Sequence, residues 1–296
     1  MRDTFSRCHP IVNFLFFGLV ITYLMFIMHP VMLIISFLSS LSYAIYLDSR
    51  KTVIFCLKIL LPTMLTAIIV NPAFSHEGIT ILCYLPSGNP LTLESILYGI
   101  SASVMLGTSL LWFRCYTIIM TSDKFVYIFG KIIPALSLVL SMTLRFIPKF
   151  KAQFEVVREA QYCIGKDISD GSIFSRLKNA VRIFSIMITW SLENAIETAN
   201  SMKSRGYGLK GRTAFSIYRF DSRDKNILLC LLFCGIYLTC GIIAGGLKWR
   251  YFPSVKGVLE EPFTISFYIV YTLLCNIPVF ITRKEYNIWM SLNSEL

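Results

Sequence analysis

Apolar residues run in long stretches, parted by short polar breaks, from near the start of the chain to residue 113 and again from residue 226 to residue 282. Residues 11–28 and 31–47 form two such stretches split by His29-Pro30; proline cannot continue a helix, so the pair reads as a tight helical hairpin. After the charged turn Asp48-Ser49-Arg50-Lys51, residues 52–70 make a third stretch, interrupted by Pro62 and carrying Lys58. Residues 71–91 form a loop with Pro72, Gly78, Pro86, Gly88 and Pro90. Residues 92–113, 226–247 and 263–282 supply three more apolar stretches. Each approaches the ~20 residues a helix needs to cross a bilayer, and the pattern predicts six spans.

Between residues 113 and 226 the pattern changes. Ile132–Ile147 and Val181–Leu192 are apolar but shorter than the ~17 residues that set the lower limit for a span. The first continues into Lys149, Lys151, Glu155, Arg158 and Glu159, the second into Glu193, Glu197 and Lys203. A helix apolar at one end, charged at the other and striped along its length leans out of the membrane. The pattern therefore predicts two long amphipathic helices over 132–164 and 173–205, starting at membrane depth and finishing in the cytosol. A turn-rich linker from Gly165 to Gly171 joins them, with Asp170 or Ser172 as N-cap. The expected fold class is all-α: an N-terminal membrane domain of four spans (1–113), a cytosolic domain (114–225) and a C-terminal membrane segment of two spans (226–296).

The charge supports this arrangement. The chain has 28 Lys and Arg against 17 Asp and Glu, a net +11, and 18 of the 28 cations fall between residues 114 and 226. The 71–91 loop has none. Loops rich in Lys and Arg stay inside, which places both termini, the 48–51 turn and the 114–225 domain in the cytoplasm of a plasma-membrane protein. Only the 248–262 loop, with Lys248, Arg250 and Lys256, runs against this, and Glu260 and Glu261 partly balance it. No concentrated basic run or readable module points to nucleic acid. Arg2 and Arg7 precede an apolar run that continues to Met28 without a small-residue cleavage site, which reads as the first span rather than a signal peptide.

Little in the chain suggests chemistry. Nine cysteines lie scattered without a CxxC pair, as expected of reduced thiols. His9, His29 and His76 share no ligand spacing, and a solvated or interfacial state is expected for each. No metal or cofactor site is expected. Lys58 lies near enough to the inner end of its span to snorkel, and Glu94 opens a helix, where a carboxylate is favoured. Arg145 sits in an apolar run and needs a partner, with Glu193 or Glu197 of the other long helix as candidates. Gly206-x-x-x-x-Gly211-Arg212-Thr213 is one residue from a phosphate-binding P-loop but lacks its lysine and follows a helix rather than a strand.

The two long helices end at Gly165 and Gly206, 41 residues apart. Glycine past the last helical residue takes the left-handed conformation and satisfies orphan carbonyls. Arg205 adds something a plain helix stop does not require. The helix dipole favours a cation there by only ~0.3–1 kcal/mol, a gain lysine would match. Arginine's planar fork can instead engage a carboxylate bidentately across an interface, and Ala195, Ala199 and Ser201 upstream permit close approach.

Ser201-Met202-Lys203-Ser204-Arg205-Gly206-Tyr207-Gly208, followed by Arg212-Thr213, resembles the second Ala-Arg-Gly-type signature of the transmembrane T component of energy-coupling factor (ECF) transporters. Leu144-Arg145-Phe146-Ile147-Pro148, Glu155 and Ala160-Gln161 resemble the stretch leading to the first signature, and Phe5-Ser6-Arg7-Cys8-His9-Pro10 also fits. The resemblance implies a non-catalytic scaffold in an importer for a vitamin or transition-metal ion. Its two coupling helices would carry two ABC-type ATPases and grip a small substrate-binding membrane subunit. Arg205 would anchor one ATPase, with Met202, Ser204, Gly206 and Tyr207 around it. The Ile164-Gly165-Lys166 end would meet the second by apolar packing, while Arg145, Pro148, Glu193 and Glu197 make contacts within the coupling helices. The apolar faces of 132–147 and 181–192 would form the platform for the substrate-binding subunit. The chain departs from the family at Ile164, which stands where the first signature has arginine, so docking is expected to be asymmetric and dominated by Arg205.

An integral-membrane transferase is the alternative. It would need clustered acids to hold magnesium and pyrophosphate, and Asp167 and Asp170 are isolated. A channel or secondary transporter would place polar residues or repeated broken helices within the spans; here the polar residues concentrate outside them.

Overall fold

A computed structural model describes residues 4–75, 77–84, 90–166, 172–207, 209, 218–257 and 262–294. Asp167, Asp170, His76, Gly208, Gly211, Arg212 and Thr213, singled out above, lie outside the described residues. Among those described, a 3-10 turn at Phe5–Arg7 leads into α1 (Pro10–Phe26), α2 (Pro30–Leu47), α3 (Ser49–Phe55) and α4 (Leu61–Phe74). These are followed by α5 (Leu93–Ile119), α6 (Ser122–Ile132), α7 (Pro134–Cys163), α8 (Ile173–Ser204), α9 (Ser222–Ile243) and α10 (Pro262–Ser294). Two small antiparallel hairpins complete the chain: β1 (Ile81–Tyr84) with β2 (Pro90–Thr92), and β3 (Trp249–Arg250) with β4 (Lys256–Gly257).

Among the described residues, five helices are long and apolar enough to cross a membrane: Pro30–Leu47, Ser49–Phe74, Leu93–Ile119, Ser222–Ile243 and Pro262–Glu285. Pro10–Phe26 is apolar too but has 17 residues, at the short limit for a span. The chain is an all-α, multi-pass membrane protein. It divides into two compact units, one comprising Met1–Lys124 and Tyr218–Leu296, the other Phe125–Ile217.

Pro62 does not interrupt the third span. A π turn at Cys56–Leu60 joins α3 to α4 as one rod, with Pro62 in the first turn after it. Here the hydroxyl of Thr63 donates to the carbonyls of Ile59 and Leu60 at 2.9 Å each, serving acceptors near the proline that lacks an N–H. Lys58 is exposed on the π turn.

Within the first unit the spans meet through small and aromatic residues, as helices do where lipid supplies no hydrophobic drive. The indole Nε1 of Trp112 donates to Ser36 Oγ at 3.0 Å, and the Tyr23 hydroxyl donates to the Gly235 carbonyl at 2.7 Å. Phe5, Phe16 and Phe17 pack edge to face, Phe16 and Phe17 also against Trp112. Gly107 lies under Met64, and Gly241 under the ring of Phe267.

Two histidines depart from the solvated or interfacial state expected of them: His9 and His29 are buried. Each precedes a proline that opens a helix, Pro10 or Pro30. The residue before proline is held in extended backbone, which places it at the N-cap position. His9 Nδ1 accepts from the Ile11 N–H at 3.3 Å. His29 Nε2 lies 3.1 Å from the Tyr268 hydroxyl, with the Trp249 ring edge-on at 5.0 Å. Glu94, in the first turn of α5, is also buried, and takes the Thr80 hydroxyl at 2.6 Å and the Thr80 N–H at 3.3 Å.

Candidate functional site

The second unit is built from two long helices. α7 covers Pro134–Cys163 and α8 Ile173–Ser204, against expected extents of 132–164 and 173–205. Ser172 occupies the N-cap position of α8 in extended backbone. The helices pack through Val157, Ile183 and Met187, with Trp190 alongside. Phe150 stands edge-on to Trp190 at 5.3 Å. Lys149 joins the pair: its ammonium donates to Asn194 Oδ1 and lies 5.5 Å from the Trp190 ring centroid and 5.9 Å from that of Phe146. Lys149 is exposed, and a cation over an aromatic face at such a site gains about 0.5–1 kcal/mol.

Arg145 is not the residue that ties the helices together. It is exposed, as are Glu193 and Glu197, and among the described residues no salt bridge joins them. Lys149, one turn further along α7, holds the position facing Trp190 and Asn194. Pro148, also exposed, sits inside α7 without ending it.

The C-terminal ends of α7 and α8 have the same architecture. At the first, Gly165 N–H donates to Tyr162 O at 2.9 Å and Lys166 N–H to Gln161 O at 3.0 Å. At the second, Gly206 N–H donates to Lys203 O at 3.0 Å and Tyr207 N–H to Met202 O at 3.0 Å. Both are Schellman caps, with Gly165 at φ +71° and Gly206 at φ +76°. Ile164 and Arg205 hold the same place, immediately before the glycine, with φ, ψ of −94°, 5° and −82°, 10°. Ile164 is 63% exposed, and Arg205 and Tyr207 are exposed as well. Lys166 is exposed at the position matching Tyr207. The Ser204 hydroxyl is turned back to Ser201 O at 2.9 Å, and Arg205 is exposed at the tip beside Lys203 and Tyr207.

The glycines are needed for the caps. A left-handed residue with a Cβ costs about 1–2 kcal/mol, so Gly165→Ala and Gly206→Ala should each fray the last turn of their helix. Hydrogen exchange should show faster amides over 161–166 or 202–207, with the rest of the unit unchanged.

The apolar face expected over 181–192 runs further along α8 in both directions. Leu177, Val181, Phe184, Ile188, Leu192 and Ile196 recur at intervals of three and four residues, and all are exposed. At 1.5 Å per residue they line about 28 Å of helix, on residues other than the Ile183 and Met187 that face α7. The periodicity was in the sequence; which stripe faced the partner helix was not.

Residues 2–215 match the family described as cobalt transport protein, CbiQ. A relative from Listeria monocytogenes, named energy-coupling factor transporter transmembrane protein, is 35% identical over 109 residues, covering 36% of this chain and 40% of the relative. Proteins of the same name from Clostridium kluyveri and Acidaminococcus fermentans are each 32% identical. The first aligns over 49% of this chain and 55% of its own length, the second over 52% and 63%. The chain thus spans between two fifths and two thirds of these relatives. The match to the family itself covers more than half of the chain, from the N-terminal segment through both capped helices, and the protein belongs to the cobalt transport protein family, CbiQ.

Proposed function

We propose that this chain is the membrane scaffold of an ATP-driven ECF importer for a vitamin or transition-metal ion, transmitting force and performing no catalysis. The observation that carries this reading is the pair of like caps ending two long helices, one tipped by an exposed arginine. Two ABC-type ATPases dock there: one around Arg205, with Met202, Ser204, Gly206 and Tyr207, the other around Ile164, Gly165 and Lys166. A small substrate-binding membrane subunit rests on the apolar stripe of α8. Closure of the ATPases on ATP draws the tips, and the helices carry that movement toward the membrane.

The test is purification of the tagged chain in detergent from its native host, with identification of the proteins that accompany it. Recovery of ABC-type ATPases and a small membrane protein supports the reading; absence of any ATPase removes it.

The reading puts both termini and the capped tips in the cytoplasm, and two native cysteines check this. Cys83, in the first hairpin, and Cys163, at the end of α7, are both exposed. In intact cells, a membrane-impermeant maleimide should label a variant retaining only Cys83 and spare one retaining only Cys163; permeabilised cells should label both.

A further inference from the structure

The chain leaves the first unit after Lys124 and returns to it at Tyr218. Both passages are held by one short segment at the N-terminus. On the way out, Lys124 lies in the first turn of α6 and is only 6% exposed. Its ammonium donates to the Ser6 carbonyl and, at 3.0 Å, to the Ile119 carbonyl at the end of α5. With the Asn13 amide assigned the orientation that suits both neighbours, its oxygen accepts from the same ammonium at 3.0 Å and its NH2 donates to the Phe5 carbonyl at 3.0 Å. A cation is favoured by the carbonyl end of a helix, and in a buried setting directed hydrogen bonds fix it strongly.

On the way back, the Phe220 ring stands edge-on to His9 at 5.1 Å. The His9 N–H donates to Asp224 Oδ1 at 3.3 Å, and the Asp221 N–H to Asp224 Oδ2 at 3.4 Å. Asp224 is 2% exposed, and its carboxylate takes the N-terminal amides of both α1 and α9, where helix dipoles favour negative charge. The segment is in turn rooted in the core, since the fully buried Phe5 packs edge-on against Phe16 and Phe17. Residues 4–13 therefore carry a buried cation contact to one passage and a buried anion contact to the other.

We propose that Thr4–Asn13 acts as a clamp on both passages, with Lys124 and Asp224 as positioning residues through which movement of the second unit reaches the spans. This rests on the coupling function proposed above. An anchor needed only for folding would serve at any buried point, whereas these contacts sit where the chain enters and leaves the second unit. Loss of either should leave ATP hydrolysis largely intact but disconnect it from the spans.

The experiment uses the complex purified with its ATPases, with and without ATP plus orthovanadate, followed by hydrogen exchange in α2 and α10. In the wild type the trapped state should change exchange in those helices. Lys124→Met and Asp224→Asn should each abolish that change while hydrolysis continues, and Lys124→Arg, which keeps the cation, should restore it. A wild-type-like change in both variants would overturn the proposal. So would loss of the assembled complex in both, which would mark the contacts as purely structural. A wild-type preparation without any ATPase would instead remove the coupling reading itself, and the clamp with it.

Discussion

Arg205→Glu should abolish recovery of the ATPase that we propose docks on α8, while Ile164→Ala leaves the complex largely intact. Truncating one partner of a buried, hydrogen-bonded charge pair at an interface costs roughly 2–5 kcal/mol, about 30-fold to several thousand-fold in affinity at 1.4 kcal/mol per tenfold. Reversal adds repulsion to that loss. Ile164 is exposed, and its truncation removes apolar contact but strands no charge; one large aliphatic side chain is worth about 1.5–3 kcal/mol when fully buried. Pull-downs of Arg205→Ala, Arg205→Glu and Ile164→Ala, with the ATPases quantified, read the difference directly. Equal losses for the two alanine variants would refute asymmetric docking.

Gly241→Ile should prevent α9 and α10 from packing. Even a Cβ at Gly241 would lie 2.4 Å from Cε1 and 2.6 Å from Cζ of Phe267, whose ring is fully buried. Overpacking commonly costs about 1–3 kcal/mol and more where the neighbour cannot yield, and a β-branched side chain adds atoms to that clash. The matched control is Gly18→Ile, because a Cβ at Gly18 meets nothing within 4 Å. Size-exclusion of detergent extracts, followed by melting of the monodisperse fraction, should show Gly241→Ile aggregated or sharply destabilised and Gly18→Ile close to wild type.

The spans were legible because lipid-facing helices must be apolar along most of their length. Their ends were less so. α5 runs on to Ile119 rather than stopping at 113, because Arg114 is sheltered: its guanidinium lies 4.8 Å from the Phe55 ring centroid and its Nε donates to Thr52 at 3.4 Å. Hydropathy registers the charge and not the shelter. The two long amphipathic helices could be read from their change of composition along the axis, and both stops from their glycines. The pairing of side chains between them could not. Whether Arg145 or Lys149 meets the other helix depends on rotation about the axis, and the aromatic rings of Phe146, Phe150 and Trp190 settle it in favour of Lys149. Both two-stranded hairpins are too brief for a periodic signal, whereas the 11 residues of α6 carry an amphipathic pattern that the long flanking stretches overshadowed. The N-cap positions of His9 and His29 follow from their prolines, but their burial comes from tertiary packing against Phe220 and against Trp249 and Tyr268, which the chain does not announce.

The like caps at Gly165 and Gly206 are closed by main-chain hydrogen bonds. Neither Ile164 nor Arg205 contributes a side chain to the scaffold that presents it, so what each tip recognises is separable from whether it folds. Ile164→Arg should therefore produce a chain with two matched tips and undiminished thermal stability. Under the docking proposed above, recognition at these ends is rewritten one codon at a time, and a library at 164 and 205 would report partner preference without folding as a confounding variable.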